Sequence, residues 1–242
     1  MSFSNPAEKI ILALDGMDEK EVFSFLSKLP ELIWVKVGLE LFTRCGPDIL
    51  VELRKQGKRI FLDLKFHDIP TTMAHACYQA ARSKAELITV HACAGKEALM
   101  NSNEAAKKGA QEVGMPSPTL LAVTVLTSWS SRAFELEIGT GQSINQRVQH
   151  LAQVAFNAGI GGCICSPLEV QKLRNNFPQS SFELVTPGIR FKDSCLDDQQ
   201  RVMSPSEAVS LGATKLVLGR IITRAEDPLD TFLRICSDLE SI

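Results

Sequence analysis

The sequence predicts an eight-stranded parallel (β/α)8 barrel, a TIM-barrel α/β fold, and three observations carry that prediction. Short apolar, β-rich runs alternate with helix-length amphipathic stretches from one end of the chain to the other. The strand–helix alternation fills 242 residues, close to the size of about 250 typical of such barrels. No glycine-rich phosphate turn follows the first run, which ends Leu14-Asp15-Gly16-Met17-Asp18. A doubly wound open sheet, the rival architecture, usually carries that turn and stops at about five or six strands.

The predicted strands cover residues 10–15, 33–38, 60–65, 87–91, 120–126, 162–166, 183–186 and 215–218. Each is a short, largely apolar run of strand length bounded by helix-length segments. The predicted helices cover 19–29, 47–56, 69–83, 96–107, 144–158, 168–175, 206–211 and 228–239, where apolar residues recur at helical spacing. No linker, repeat or low-complexity tract interrupts the series, so residues 1–242 are expected to form a single catalytic domain.

Composition narrows the function classes. There are 26 Lys and Arg against 28 Asp and Glu, a formal net charge of −2. That leaves no bulk positive field for a nucleic-acid backbone. No apolar run is long enough to span a membrane, and residues 1–9 lack a signal-peptide layout. The seven cysteines are scattered and odd in number, which favours reduced thiols of a cytoplasmic protein over a disulfide framework. Cys163 and Cys165 share a strand face, but no second pair completes a metal set, so core packing is expected.

The chemistry concentrates in Phe61-Leu62-Asp63-Leu64-Lys65-Phe66-His67-Asp68-Ile69-Pro70. Strand alternation puts Phe61, Asp63 and Lys65 on one face and Leu62, Leu64 and Phe66 on the other. Charges are expensive to bury unless paired, so a carboxylate and an ammonium two residues apart at a strand end point to a site. Active groups of a barrel sit at the C-terminal ends of its strands. Asp15 ends the first predicted strand, Lys36 lies in the second, and Asp63 and Lys65 come from the third, with Asp68 just beyond.

A second cluster falls late in the chain. Thr186-Pro187-Gly188-Ile189-Arg190 ends the seventh strand, a polar loop with Gln199 follows, and Leu218-Gly219-Arg220 ends the eighth. Loops after strands seven and eight form the usual phosphate site of such barrels, where Arg190 and Arg220 offer guanidinium forks. Thr127 and Ser128, after the fifth strand, suit the polar edge of a ring. No pair among His67, His75, His91 and His150 has metal-ligand spacing, so structural or supporting roles are expected and no metal is called for.

Taken in order, Leu12–Asp15, Val35–Gly38, Asp63–Pro70, Val123–Ser128, Thr186–Arg190 and Leu218–Arg220 resemble the orotidine 5′-phosphate decarboxylase family over essentially the whole chain. The long Asp-Leu-Lys-Phe-His-Asp-Ile-Pro motif, in its bacterial form, is the most specific part. The resemblance implies conversion of orotidine 5′-monophosphate to UMP and CO2, the last step of de novo UMP synthesis, without metal or organic cofactor. It implies Lys65 as proton donor to C6, with Lys36, Asp63 and Asp68 completing an alternating charge array. It further implies a homodimer in which Asp68 and Thr72 reach the partner's site. Substrate-binding roles fall to Asp15, Lys36, Asp63, Ile69, Thr72, Thr127, Arg190, Gln199, Gly219 and Arg220. Cys93-Ala94-Gly95 departs from the small residues and glycine pair common in relatives. Mg²⁺-dependent sugar-phosphate lyases of the same barrel group share an Asp-x-Lys-x-x-Asp core, but they place an acid where this chain has Lys36. A nucleotide-binding barrel without activity would be expected to lack one of the four charges, and all four are present.

Overall fold

The computed structural model describes residues 5–179, 181–190 and 203–241. Eight parallel strands close in sequence order: β1 (Ile10–Ala13), β2 (Trp34–Gly38), β3 (Arg59–Phe66), β4 (Leu87–His91), β5 (Thr119–Val123), β6 (Gly162–Ile164), β7 (Glu183–Pro187) and β8 (Lys215–Leu218). The helices around them are α1 (Glu19–Leu26), α2 (Leu39–Cys45), α3 (Asp48–Lys55), α4 (Pro70–Arg82), α5 (Lys96–Glu112) and α6 (Ser131–Ile138). They continue with α7 (Ile144–Asn157), α8 (Val170–Asn176), α9 (Pro205–Ser210), α10 (Arg220–Thr223) and α11 (Pro228–Glu240). All eight expected strands form, whereas α2, α6 and α10 are additions to the predicted set. Three of the helices begin with reciprocal capping boxes, Asp18 with Glu21, Ser143 with Gln146 and Ser204 with Glu207, which satisfy otherwise orphaned N–H groups.

Several strand ends are shorter than expected. β1 stops at Ala13, although the Leu14 N–H still donates to the Lys36 carbonyl at 3.1 Å. β5 stops at Val123 and β6 at Ile164, although the Cys165 N–H still donates to the Val185 carbonyl at 3.2 Å.

Two apolar cores sit on either side of the sheet. Ile11, Ala13, Trp34, Phe61, Leu87, Leu121, Val185 and Val217 fill the barrel interior. Alternate strand residues, including Leu12, Val35, Leu62, Ile88 and Leu184, pack outward under the helices. Cys163 and Cys165 are fully buried in that outer layer, as packing residues. Side-chain ion pairs cap the N-terminal end of the barrel. Arg59 bridges Glu8 at 3.2 Å and Glu86 at 2.6 Å, Arg54 also pairs with Glu86, and Arg59 lies over the Trp34 ring at 4.1 Å. The chemistry-bearing side chains are at the opposite end.

Candidate active site

Strand register assembles the charged cluster. β1 and β2 pair Ala13 with Lys36, and β2 and β3 pair Gly38 with Asp63, so Lys36 and Asp63 enter the mouth just above the layer of Trp34 and Phe61. The Lys36 Nζ lies 2.8 Å from Asp15 Oδ2 and 3.4 Å from Asp63 Oδ2. The Lys65 Nζ donates to Asp63 Oδ1 at 2.8 Å. One carboxylate is thus held between two ammonium groups, with a second carboxylate on the outer side of Lys36.

Asp63 is the buried member, 8% exposed. Burial pushes its carboxyl pKa up, but the Lys36 and Lys65 charges and hydrogen bonds from Lys65 and Thr89 outweigh burial and hold it below the usual aspartate value. Asp63 is therefore an ionised carboxylate at neutral pH. Asp15 is half-exposed and can reach a ligand in the mouth.

A backbone irregularity places Lys65. Leu62 pairs with Ile88 and Phe66 with Val90, so four residue steps of β3 run against two of β4. Within this bulge Lys65 adopts φ +49°, a left-handed conformation uncommon for a side-chain-bearing residue. Its N–H donates to the buried Thr89 Oγ1 at 2.9 Å, and that hydroxyl donates to Asp63 Oδ1 at 3.0 Å. Thr89 thus joins the backbone of one charged residue to the side chain of the other. Despite the bulge, the expected sides hold: Lys65 meets Asp63, while Leu64 and Phe66 pack on the outer core.

Thr89 and Gly38 were not among the residues singled out from sequence. A Cβ at Gly38 would lie 2.5 Å from Asp15 Oδ1 and 3.0 Å from Lys36 Nζ, so glycine makes room for that ion pair. The signal for Gly38 was its place immediately after the Val-Lys-Val strand. Thr89 carried no signal beyond being polar inside an apolar strand.

The other expected site residues are more dispersed. Asp68 is exposed, its Oδ1 accepts from the Ile69 N–H at 2.7 Å, and among the described residues it forms no ion pair. Ile69 is also exposed, Pro70 starts α4, and Thr72 lies exposed in the first turn of that helix. Thr127 sits in an exposed turn beyond β5. Arg190 follows β7, with its N–H bonded to the Met203 carbonyl at 3.2 Å, and Gly219 and the exposed Arg220 begin α10 after β8. Gln199 and the predicted 191–201 loop lie outside the described residues.

His67, His91 and Cys93 meet at the same mouth. The imidazole rings are 5.2 Å apart, and the thiol sulfur lies 3.8 Å from His67 Nε2 and 3.9 Å from His91 Nδ1. Sequence spacing gave no sign of this, because β3 and β4 bring together residues far apart in the chain. Burial, and then the neighbouring His67 and Lys65, lower the His91 pKa against the opposing pull of Asp63, favouring a neutral imidazole.

Known proteins resemble the chain over nearly its whole length. A Prochlorococcus marinus (strain MIT 9211) orotidine 5′-phosphate decarboxylase is 64% identical over 241 residues, covering 100% of both chains. The corresponding protein of Parasynechococcus marenigrum (strain WH8102) is 56% identical, over 98% of this chain and 96% of its own. The crystal structure of orotidine 5′-phosphate decarboxylase from Lactobacillus acidophilus superposes with a TM-score of 0.83 at 36% identity, over 96% of this chain and 99% of that one. The model of the orotidine 5′-phosphate decarboxylase / HUMPS family matches residues 8–235, and the chain belongs to that family.

Proposed function

We propose that the chain, acting as one barrel domain, decarboxylates orotidine 5′-monophosphate to UMP and CO2, with Lys65 as the proton donor. The observation that carries this reading is the ionised, buried Asp63 held between the ammonium groups of Lys36 and Lys65. In the reaction the bond from C6 to the carboxylate carbon breaks and CO2 departs. The electron pair stays on C6, Lys65 transfers a proton from Nζ to that carbon, and the lysine is reprotonated from solvent. The carbanion has no obvious electron sink, so a fixed ammonium beside C6 stabilises it directly.

Asp63 faces the substrate carboxylate in this reading and opposes the ground state. At about 4 Å and an effective dielectric of about 20 the repulsion is roughly 4 kcal/mol. The largest enzymatic accelerations need on the order of 20 kcal/mol. Most of the effect must therefore come from carbanion stabilisation and from binding energy at the phosphate. Arg190, Gly219 and Arg220, with Gln199 of the 191–201 segment, are the proposed phosphate contacts. Asp15 and Lys36 take the ribose hydroxyls, and Thr127 takes the base.

The exposed Asp68, Ile69 and Thr72 at the start of α4 would complete the site of a second copy in a homodimer. That assignment fits an acid with no ion pair among the described residues. Among those residues no helix is long and apolar enough to cross a membrane. The scattered thiols suit the reducing cytoplasm, where this pathway's small soluble substrates are expected. The family also contains sugar-phosphate lyases that use Mg²⁺, but the Lys36 ammonium, paired with Asp15 and Asp63, would repel a dication at that point.

The test is the loss of orotidine 5′-monophosphate absorbance with chelator present, for wild type and Lys65→Ala. Wild type should turn over without metal, and the variant should be inactive. Full activity in the variant would remove Lys65 from its role, and a strict metal requirement would favour the sugar-phosphate lyase reaction.

A further inference from the structure

We propose that His67, His91 and Cys93 form a binding site for a zinc-class divalent cation at the barrel mouth. The three ligand atoms lie within 4.8 Å of one another. Zinc binds thiolate sulfur at about 2.3 Å and imidazole nitrogen at about 2.0–2.1 Å. In a tetrahedral site those bonds put sulfur about 3.6 Å from each nitrogen and the nitrogens about 3.3 Å apart. The sulfur already lies 3.8 and 3.9 Å from the two nitrogens, and the nitrogens, within 4.8 Å of each other, close by at most about 1.5 Å on binding.

The donor set is soft and selective. Two imidazoles and a thiol suit zinc or cobalt and not the hard, oxygen-seeking Mg²⁺. Among the described cysteines Cys93 is the exposed one in the single chain. On binding, the Cys93 thiol gives its proton to solvent and the thiolate offsets half of the metal's charge, which limits repulsion from Lys65. Three protein ligands leave a fourth position for water.

Position gives the site a consequence. His67 lies two residues past Lys65 in the loop after β3, and His91 ends β4 two residues past Thr89, which accepts from the Lys65 N–H. A bound cation would tie the two loops together and leave a net positive charge beside the Lys65–Asp63 pair. Occupancy of the triad should therefore inhibit the enzyme. The inhibition rests on the reaction proposed above, whereas the binding does not.

The experiment titrates the chelator-treated full chain with Co²⁺ and follows the near-ultraviolet thiolate-to-cobalt charge-transfer band. Zinc inhibition of turnover is measured on the same samples. Wild type should bind one equivalent with the band present, and Cys45→Ser should match it. Cys93→Ser should lose the band, and His67→Gln should weaken binding about tenfold or more, as loss of even an outer partner does at zinc sites. Zinc should lower wild-type turnover at least about tenfold and leave Cys93→Ser far less affected. Absence of the band in wild type, or its persistence in Cys93→Ser, would overturn the site. Equal zinc inhibition of wild type and Cys93→Ser, with the band lost as expected, would uphold the site and overturn its effect on turnover.

Discussion

Gly38→Ala offers a sharp test of how the Asp15–Lys36 pair is accommodated. Gly38 has φ −93° and ψ −177°, a conformation open to alanine, so the substitution introduces no backbone strain. Its effect comes from the added carbon, which would lie 2.5 Å from Asp15 Oδ1, about 1 Å inside ordinary contact. The nearest atom is the tip of a half-exposed side chain, so the carboxylate swings away and the 2.8 Å ion pair with Lys36 is lost. Exposed pairs contribute about 0.2–1 kcal/mol, and stranding one partner of a buried pair costs about 3–5 kcal/mol. This pair lies between, because Lys36 is buried but keeps Asp63 at 3.4 Å. A loss of about 1–2 kcal/mol is expected, equivalent to a factor of roughly 5–30. If Asp15 and Lys36 hold the ribose, that factor should raise KM and leave kcat within about twofold. Steady-state kinetics on orotidine 5′-monophosphate and a thermal melt separate the cases. A wild-type KM would refute the argument, and a collapse of kcat at normal KM would show that the pair acts on the chemical step instead.

Three further outcomes are expected. Thr89→Val keeps the shape but removes the hydroxyl between the Lys65 N–H and Asp63. Stability should fall by about 1–3 kcal/mol for the orphaned donor, and kcat should fall more than KM rises; unchanged kcat would leave Thr89 a purely structural residue. Lys65→Gly should be more heat-stable than Lys65→Ala by about 0.5–1 kcal/mol, because glycine relieves the positive φ and only part of that gain is returned to the unfolded chain; the reverse order would place no strain at the bulge. Asp63→Asn should destabilise the protein near neutrality by about 2–3 kcal/mol, less than a fully stranded charge, since Lys36 keeps Asp15. The folded Asp63 carboxyl lies below the unfolded value of about 3.9, so its contribution is complete above that pH and is lost as pH falls through the folded value. Chemical denaturation of wild type and variant should show the gap between them narrowing below about pH 4, and a gap that widens there would contradict the ionised assignment.

The order of the barrel and the convergence of Asp15, Lys36, Asp63 and Lys65 were legible because alternation and strand-end position are written locally. What was not legible depends on neighbours in space. The partnership of Thr89 with Lys65 needs the irregular register between β3 and β4, which no single strand pattern encodes. The meeting of His67 with Cys93 has the same origin. Helix α6 is capped by Ser130 and ended by Gly139 in the left-handed conformation, but its exposed Leu136 and Ile138 blur the apolar stripe that would mark it in the sequence. Asp68 was singled out as a charge, but its proposed work lies with a second copy, beyond what one chain's contacts contain.

The bulge in β3 has a geometric meaning for a barrel. A regular strand offers side chains to one face in fixed steps of about 6.5–7 Å, so the mouth is a lattice with few allowed heights. Spending four residues of β3 where β4 spends two breaks that lattice at a single place. The two charges two residues apart can then touch at 2.8 Å without displacing the apolar layers below. The fold supplies coarse positions by register, and one irregular stretch supplies the fine adjustment that brings the Lys65 ammonium onto the Asp63 carboxylate.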